Sequence, residues 1–138
     1  KSWSEETDFL NRLYPFAQAN GSGSFYAIWD DGTNKSMSEM PIVVFGDEGG
    51  VHVVAENFVK LLHLITFDSE ISIDFEEVYF YKDEDDYEES EDLNEYVNWL
   101  KDNYSLDKIQ EPAYHISAAQ ERYKEAFDQW FKQYYDVE

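Results

Sequence analysis

The stretch PIVVFGDEGGVHVVA, residues 41–55, decides the fold of this chain. Two β-branched runs, 41–45 and 51–55, flank the segment 46–50, whose glycines and acids are typical of a hairpin loop. A connection this short joins antiparallel neighbours. The first run is also too apolar for both of its faces to lie in water. The stretch therefore predicts a β-hairpin that packs against other elements.

A third strand is predicted just upstream of this hairpin. The aromatic run 24–29 ends at Asp30-Asp31-Gly32, a turn sequence. Together these signals predict an antiparallel meander with strands near 24–30, 41–46 and 50–55. Two further β-prone runs, 71–75 and 78–81, follow later in the chain. We therefore expect an antiparallel sheet of four or more strands.

Helical periodicity appears on both sides of the meander. It predicts an opening helix over 5–14, which at Pro15 is expected to bend or to restart as a short turn through 16–19. Asn57 is the predicted N-cap of a second helix. A third helix is predicted over 92–104, and a fourth begins near Pro112, a position in the first turn where proline is tolerated.

These elements predict a single α+β domain over residues 1–138, with helices packed on the sheet. A chain of this length can bury a substantial core. The side chains expected in that core share apolar character at strand or helix spacing: Phe9, Leu13, Tyr26, Ile28, Val43, Phe45, Val53, Phe58, Leu62, Leu100, Phe127 and Trp130.

A glycine-rich turn precedes the first strand of the meander. The sequence Asn20-Gly21-Ser22-Gly23 is typical of a turn that uses left-handed backbone. We expect Gly21 to occupy a conformation that a Cβ atom would strain. These glycines are predicted to serve the backbone rather than a ligand.

The acidic segment, residues 68–95, is the strongest compositional feature. It holds fourteen of the chain's 31 Asp and Glu residues and a single lysine, Lys82. Such a concentration of like charge opposes folding, because the carboxylates repel one another and none can be buried unpaired. The cost can be offset by a cationic partner, by a bound cation, or by plain solvation on an exposed face. The centre of the segment, 83–91, is predicted to be a loop.

The net charge of the chain limits the classes of partner that it could bind. A net charge of −21 argues against nucleic acid, whose phosphates require clustered Lys and Arg, and against anionic membranes. It favours a basic protein, whose approach the charge would steer. The candidate partner-binding residues are the exposed acids of the loop, with two acidic turns as a second choice: Asp83, Asp85, Asp86, Glu88 and Glu89, then Asp30, Asp31, Asp47 and Glu48.

The sequence gives little support for catalysis or for a metal site. There is no cysteine, which removes thiolate nucleophiles and Cys-ligated zinc. His52, His63 and His115 are far apart in the chain and are expected to be packed or surface histidines rather than metal ligands. A carbohydrate enzyme built on paired carboxylates is a third possibility, but with 31 acids some pair has any required spacing. We expect no cofactor, no metal and no enzymatic activity.

The middle of the chain resembles the SUKH superfamily, bacterial immunity proteins of polymorphic toxin systems. The resemblance rests on Ala19-Asn20-Gly21-Ser22-Gly23-Ser24 running into the strand 25–29. It continues through 41–49, then through 53–58 into the next helix. About a third of the chain carries it, and its motifs describe turns and buried strands, so they indicate a fold more directly than a function.

The resemblance implies a small non-enzymatic protein that binds and neutralises a cognate toxin, commonly a nuclease or deaminase. A basic toxin of that kind would complement the acidic surface. The alternative is an interaction or scaffold domain of the same fold that has no toxin partner. Without cysteine, and without an apolar signal segment around Trp3, the protein is expected to be cytoplasmic.

Overall fold

A four-stranded antiparallel sheet in the order β1-β2-β3-β4 forms the centre of the protein. The structure is a computed structural model that describes residues 7–134. The strands are β1 (Leu13–Gln18), β2 (Phe25–Trp29), β3 (Ile42–Phe45) and β4 (Val51–Ala55). The predicted strands at 24–30, 41–46 and 50–55 are thus confirmed to within a residue or so at each end.

The remaining elements surround this sheet. They are α1 (Thr7–Asn11), a short 3-10 helix (Met37–Glu39), α2 (Phe58–Ile65), the two-stranded sheet β5 (Ile71–Ile73) and β6 (Val78–Phe80), α3 (Leu93–Tyr104) and α4 (Pro112–Phe131). The predicted α+β class with helices packed on an antiparallel sheet is confirmed.

Alternating side chains of the sheet enter two separate cores. Trp29, Val43, Phe45 and Val53 face α4, where they pack with its buried side chains, Phe127 among them. The intervening residues face the opposite side and pack with α2 and the β5–β6 sheet, and they include Tyr26, Val44 and Val54. Neighbouring residues of β3 point to opposite faces of the sheet. Because both faces are covered, all four residues of β3 are buried.

All three predicted helix starts after the meander are confirmed, with α3 beginning at Leu93 where 92 was expected. The Asn57 side chain accepts a hydrogen bond from the Lys60 backbone N–H at 2.9 Å and so caps α2. Pro112 lies in the first turn of α4, where its missing N–H has no helical partner to lose.

The expectation for residues 12–18 was wrong. The opening helix ends at Asn11 rather than residue 14, and the expected bend and turn at 15–19 are largely replaced by β1. Pairing with β2 overrides the local helical pattern, with Leu13 opposite Trp29 and Tyr14 opposite Ile28. A proline is tolerated because β1 is an edge strand, and the register shifts beside it. The expected residues 5 and 6 of this helix lie outside the described residues.

Three members of the expected core are not buried. Nine of the twelve are, but Ile28 and Leu62 are half-buried and Phe58 is 37% exposed. In α2 the residues facing the sheet are Leu61 and Leu64, so the helix is rotated from the expected face. Phe58 instead packs edge-on against Phe16 of β1, with ring centroids 5.5 Å apart.

The expectation for Gly21 was also wrong. Its φ lies outside the left-handed region, and a Cβ built there would meet Glu70 Oε2 at an ordinary 3.6 Å. The left-handed glycine of this turn is Gly23, with φ +107°. Asn20 organises the turn, because its Oδ1 accepts hydrogen bonds from the backbone N–H groups of Ser22 and Ser24.

We predict that Phe45→Ala lowers the free energy of unfolding by about 3–5 kcal/mol, because it leaves a cavity between the sheet and α4. Phe45 is 1% exposed and stacks on Phe25 at 5.0 Å. Urea unfolding measures the change. A loss below about 1 kcal/mol would contradict the placement of β3 between two cores.

The glycines provide a second prediction with an internal control. Gly50 has φ +83°, and a Cβ there would lie 2.3 Å from the Asp74 carbonyl oxygen. Gly50→Ala should therefore destabilise the fold by at least about 1–2 kcal/mol. Gly21→Ala should change stability by less than about 0.5 kcal/mol, because its new methyl group meets only ordinary contacts. Equal melting temperatures for the two variants would contradict this account.

Candidate functional site

The acidic loop, residues 81–92, joins β6 to α3 and has no regular secondary structure. The five first-choice partner-binding residues all lie on it and are all exposed: Asp83, Asp85, Asp86, Glu88 and Glu89. Asp83 begins a turn within the loop. Its side chain accepts a hydrogen bond from the Asp85 N–H, and its carbonyl accepts one from the Asp86 N–H, both at 3.0 Å. The acids are thus presented together to solvent.

Asp68 holds the far half of the loop. Its carboxylate accepts hydrogen bonds from the Tyr87 hydroxyl at 2.6 Å and from the Ser90 N–H at 2.9 Å, and also from the Ser90 hydroxyl. Burial acts to raise the pKa of Asp68, but the hydrogen bonds from Ser90 and Tyr87 outweigh it and leave the pKa lowered. The bond to Asp68 in turn raises the pKa of Tyr87 to about 12. The loop is therefore tied to the end of α2.

Lys82 holds the near half of the loop. Its ammonium donates to the Phe67 carbonyl at 3.0 Å and lies 4.5 Å and 4.0 Å from the ring centroids of Phe67 and Tyr87. The one cation of the acidic segment is thus held between two aromatic rings. It fixes the loop and forms no ion pair with a neighbouring carboxylate within the described chain.

Among residues 7–134, the carboxylates of the acidic loop form no ion pair. Between residues 7 and 134 the ion pairs join Lys35 to Asp31, Lys101 to Asp107, Arg122 to Glu56, and Lys124 to Asp128. No acid of the acidic segment takes part in them. The segment therefore keeps its fourteen negative charges outside the buried core, where solvent and salt screen them.

Three of the four second-choice residues are used within the chain. Asp31 pairs with Lys35 at 2.9 Å, and its side chain is only 7% exposed. Burial acts to raise the pKa of Asp31, but hydrogen bonds from Thr33 and Lys35 outweigh it and lower the pKa. Asp30 Oδ1 accepts from the Gly32 N–H at 2.9 Å.

The second pair of this set, Asp47 and Glu48, lies in the β3–β4 loop. Asp47 Oδ1 accepts hydrogen bonds from the hydroxyls of Ser22 and Ser24 at 3.1 and 3.2 Å. It links this loop to the glycine-rich turn. Glu48 is exposed beside it. The structure thus exposes all five loop acids, whereas in the second-choice set Asp47 and Glu48 are exposed and Asp30 and Asp31 are half-buried.

An exposed aromatic group on α3 was not identified by the sequence analysis, which named Trp130 as a core residue and did not single out Trp99. Trp29 and Trp130 are buried, but Trp99 is 47% exposed. The Trp99 ring meets Tyr104 edge to face, with centroids 5.9 Å apart, and Tyr96 stacks on it at 6.4 Å. The helical pattern held a signal for this, because Trp99 falls off the face marked by Leu93 and Leu100.

The three histidines have packing roles in the structure. His52 is buried and its Nε2 donates to the Asp74 carbonyl at 2.6 Å. His63 and His115 pack edge to face at 5.1 Å, and His63 Nε2 donates to the Asp107 carbonyl at 2.9 Å. Burial lowers the pKa of both, and in His115 the charge of His63 adds to the effect. Within residues 7–134 no three His, Asp or Glu residues converge as a metal centre.

Comparison with known proteins finds no matching family model, no matching curated protein and no matching solved structure. Within the described residues, no helix combines the length and apolarity that crossing a membrane requires.

We predict that Asp68→Asn frees the acidic loop while leaving the fold intact, because it removes the charge and one acceptor oxygen that hold Tyr87 and Ser90. Amide exchange at residues 87–90 should accelerate, while global stability should fall by no more than about 1 kcal/mol. Asp92→Asn is the matched control, because it removes one charge from the same segment without a side-chain cap bond to lose.

The effect of Asp68 should also depend on pH. Since its folded-state pKa lies below the ordinary value of 3.8, its contribution to stability is complete above that value and is lost as pH falls through the folded-state pKa. The stability difference between wild type and Asp68→Asn should be constant near neutrality and shrink below about pH 4. Unchanged exchange at 87–90 would show that Asp68 does not hold the loop.

Proposed function

We propose that this protein is a non-enzymatic immunity protein that binds and neutralises a basic toxin domain through its acidic loop. The observation that carries the proposal is a loop of unpaired carboxylates that the chain holds in place. Asp68 and Lys82 tie its two halves to the region where α2 ends. These hydrogen bonds hold the loop in place and do not neutralise the charge of its carboxylates.

The mutual repulsion of the loop carboxylates is the reason why a fixed loop indicates a binding partner. A segment whose only purpose was solvation would satisfy its carboxylates equally well as a mobile loop. Fixing the loop keeps the charges close and retains their mutual repulsion. A cationic surface that docks there would relieve that repulsion, and the fixed backbone would reduce the ordering cost of binding. A basic nuclease or deaminase, which must itself contact nucleic acid, presents such a surface.

The resemblance to the SUKH superfamily supports the same proposal independently of charge. The predicted meander, its glycine-containing hairpin loop and the helix after it are all present in the structure. An interaction or scaffold domain without a toxin partner would use the same surface, so the two proposals differ in the identity of the partner rather than in the site.

Co-expression tests the proposal in cells. Toxin domains encoded beside the gene would be expressed in a bacterial host with and without this protein. Restored growth, together with a purified complex of the two proteins, would support immunity. A complex with a non-toxic basic protein, and no protection against any neighbouring toxin, would favour the scaffold alternative.

We predict that the acidic loop acts mainly on the rate of association. Neutralising the five exposed acids, Asp83, Asp85, Asp86, Glu88 and Glu89, to Asn or Gln should slow association with the toxin by about tenfold or more at low salt. It should also flatten the salt dependence, because charges beyond a Debye length of about 8 Å are screened at physiological salt. Stopped-flow mixing at two salt concentrations measures both effects.

The matched control removes charge elsewhere. Glu39, Glu111, Glu121 and Glu125 are exposed and lie outside the acidic segment. Their replacement by Gln should slow association far less per charge removed. Equal effects per charge from the two variants would show that net charge alone steers the partner, and would remove the loop as the specific site.

A further inference from the structure

Trp99 and Tyr104 form an exposed corner on α3, the helix that follows the acidic loop. Their ring planes are 69° apart, with centroids separated by 5.9 Å, and the side chains are 47% and 45% exposed. The edge of one ring lies against the face of the other, Tyr96 stacks on Trp99, and part of each ring of the pair stays exposed to solvent. We call this pair the aromatic corner.

Carboxylates flank the aromatic corner along the helix. Glu95 lies four residues before Trp99 and Asp102 lies three residues after it, and both are exposed. Residues at these spacings are neighbours on a helical surface. Lys101, two residues after Trp99, forms an ion pair with Asp107 at 2.7 Å. The corner thus combines π faces and negative charge.

The chain fills comparable aromatic sites with its own cations elsewhere. Lys82 lies over two rings in the acidic loop. Arg12 lies 5.9 Å and 5.3 Å from the ring centroids of Trp29 and Trp130. Lys35 and Arg122 both lie over Tyr123. Within residues 7–134 no such cation lies over Trp99 or Tyr104.

We infer that the aromatic corner, with Glu95 and Asp102, is the anchor site for an arginine side chain of the basic partner. Tryptophan gives the strongest cation–π face, and a guanidinium can stack on a ring while its edge donates to a carboxylate. Exposed Trp and Tyr are also the side chains that most often dominate the energy of an interface. This inference rests on the proposed binding function and gives it a contact point.

The loop and the corner then have separate kinetic roles. Charges on the loop act at long range and raise the association rate, whereas the corner acts only at contact and lowers the dissociation rate. In the toxin complex, Trp99→Ala should raise the dissociation rate at least about tenfold and change the association rate by less than about twofold. Phe75→Ala is the control, because it also removes an exposed aromatic ring (71% exposed) but does so at the β5–β6 turn, outside the aromatic corner.

A peptide titration tests the corner without the toxin. The probe is the acetylated, amidated peptide Gly-Arg-Arg-Gly, and the neutral match replaces both arginines with citrulline. Nuclear magnetic resonance follows the indole N–H of Trp99, identified by its loss in Trp99→Leu. We expect a saturable shift with the arginine peptide, none with the citrulline peptide, and at least about threefold weaker binding in Glu95→Gln/Asp102→Asn.

The outcomes separate this inference from the proposed function. Shifts confined to the amides of 83–91, with the Trp99 indole unmoved, would overturn the corner as an arginine site. A toxin complex whose dissociation rate is unchanged by Trp99→Ala would also overturn it while leaving the immunity function standing. If no toxin is neutralised but the peptide shifts Trp99 as expected, the proposed function fails and the arginine site remains.

Discussion

Burial of β3 on both faces is the constraint from which the rest of the structure follows. Its four residues are fully enclosed, so one side of the sheet must be covered by α4 and the other by α2 and the β5–β6 sheet. Between them, these layers take up most of the chain's large apolar side chains. The fourteen carboxylates of the acidic segment cannot enter either core unpaired, and none of them is buried.

Fixing that surface requires only a few contacts. Asp68 accepts from Tyr87 and Ser90, and Lys82 lies between Phe67 and Tyr87, so one carboxylate and one ammonium hold a loop rich in negative charge. The same loop leads directly into α3, which presents Trp99 and Tyr104. In the proposed function, a steering surface and a contact surface would follow one another along the chain, which would suit fast encounter followed by slow release.

The sequence predicted what depends on local patterns. The hairpin at 41–55 and the cap at Asn57 both follow from residues adjacent in the chain, and both are confirmed. Strand β1 was not predicted, because its conformation comes from pairing with β2 across a turn, against a helical pattern and a proline. The apolar residues of α2 are spaced so that either of two faces could pack on the sheet. The sequence therefore did not determine how the helix is rotated. Asp68 carries no sequence signal for its role, since Tyr87 and Ser90 lie about twenty residues away.

The central claim is that the acidic loop and α3 together form the binding surface for a basic toxin. Hydrogen exchange of the protein, alone and in complex with the purified toxin domain, tests this most directly. The account predicts that binding slows exchange across residues 83–104 and leaves the turns at 30–32 and 46–50 unchanged. Slowed exchange at those two turns, with residues 83–104 exchanging as in the free protein, would contradict it.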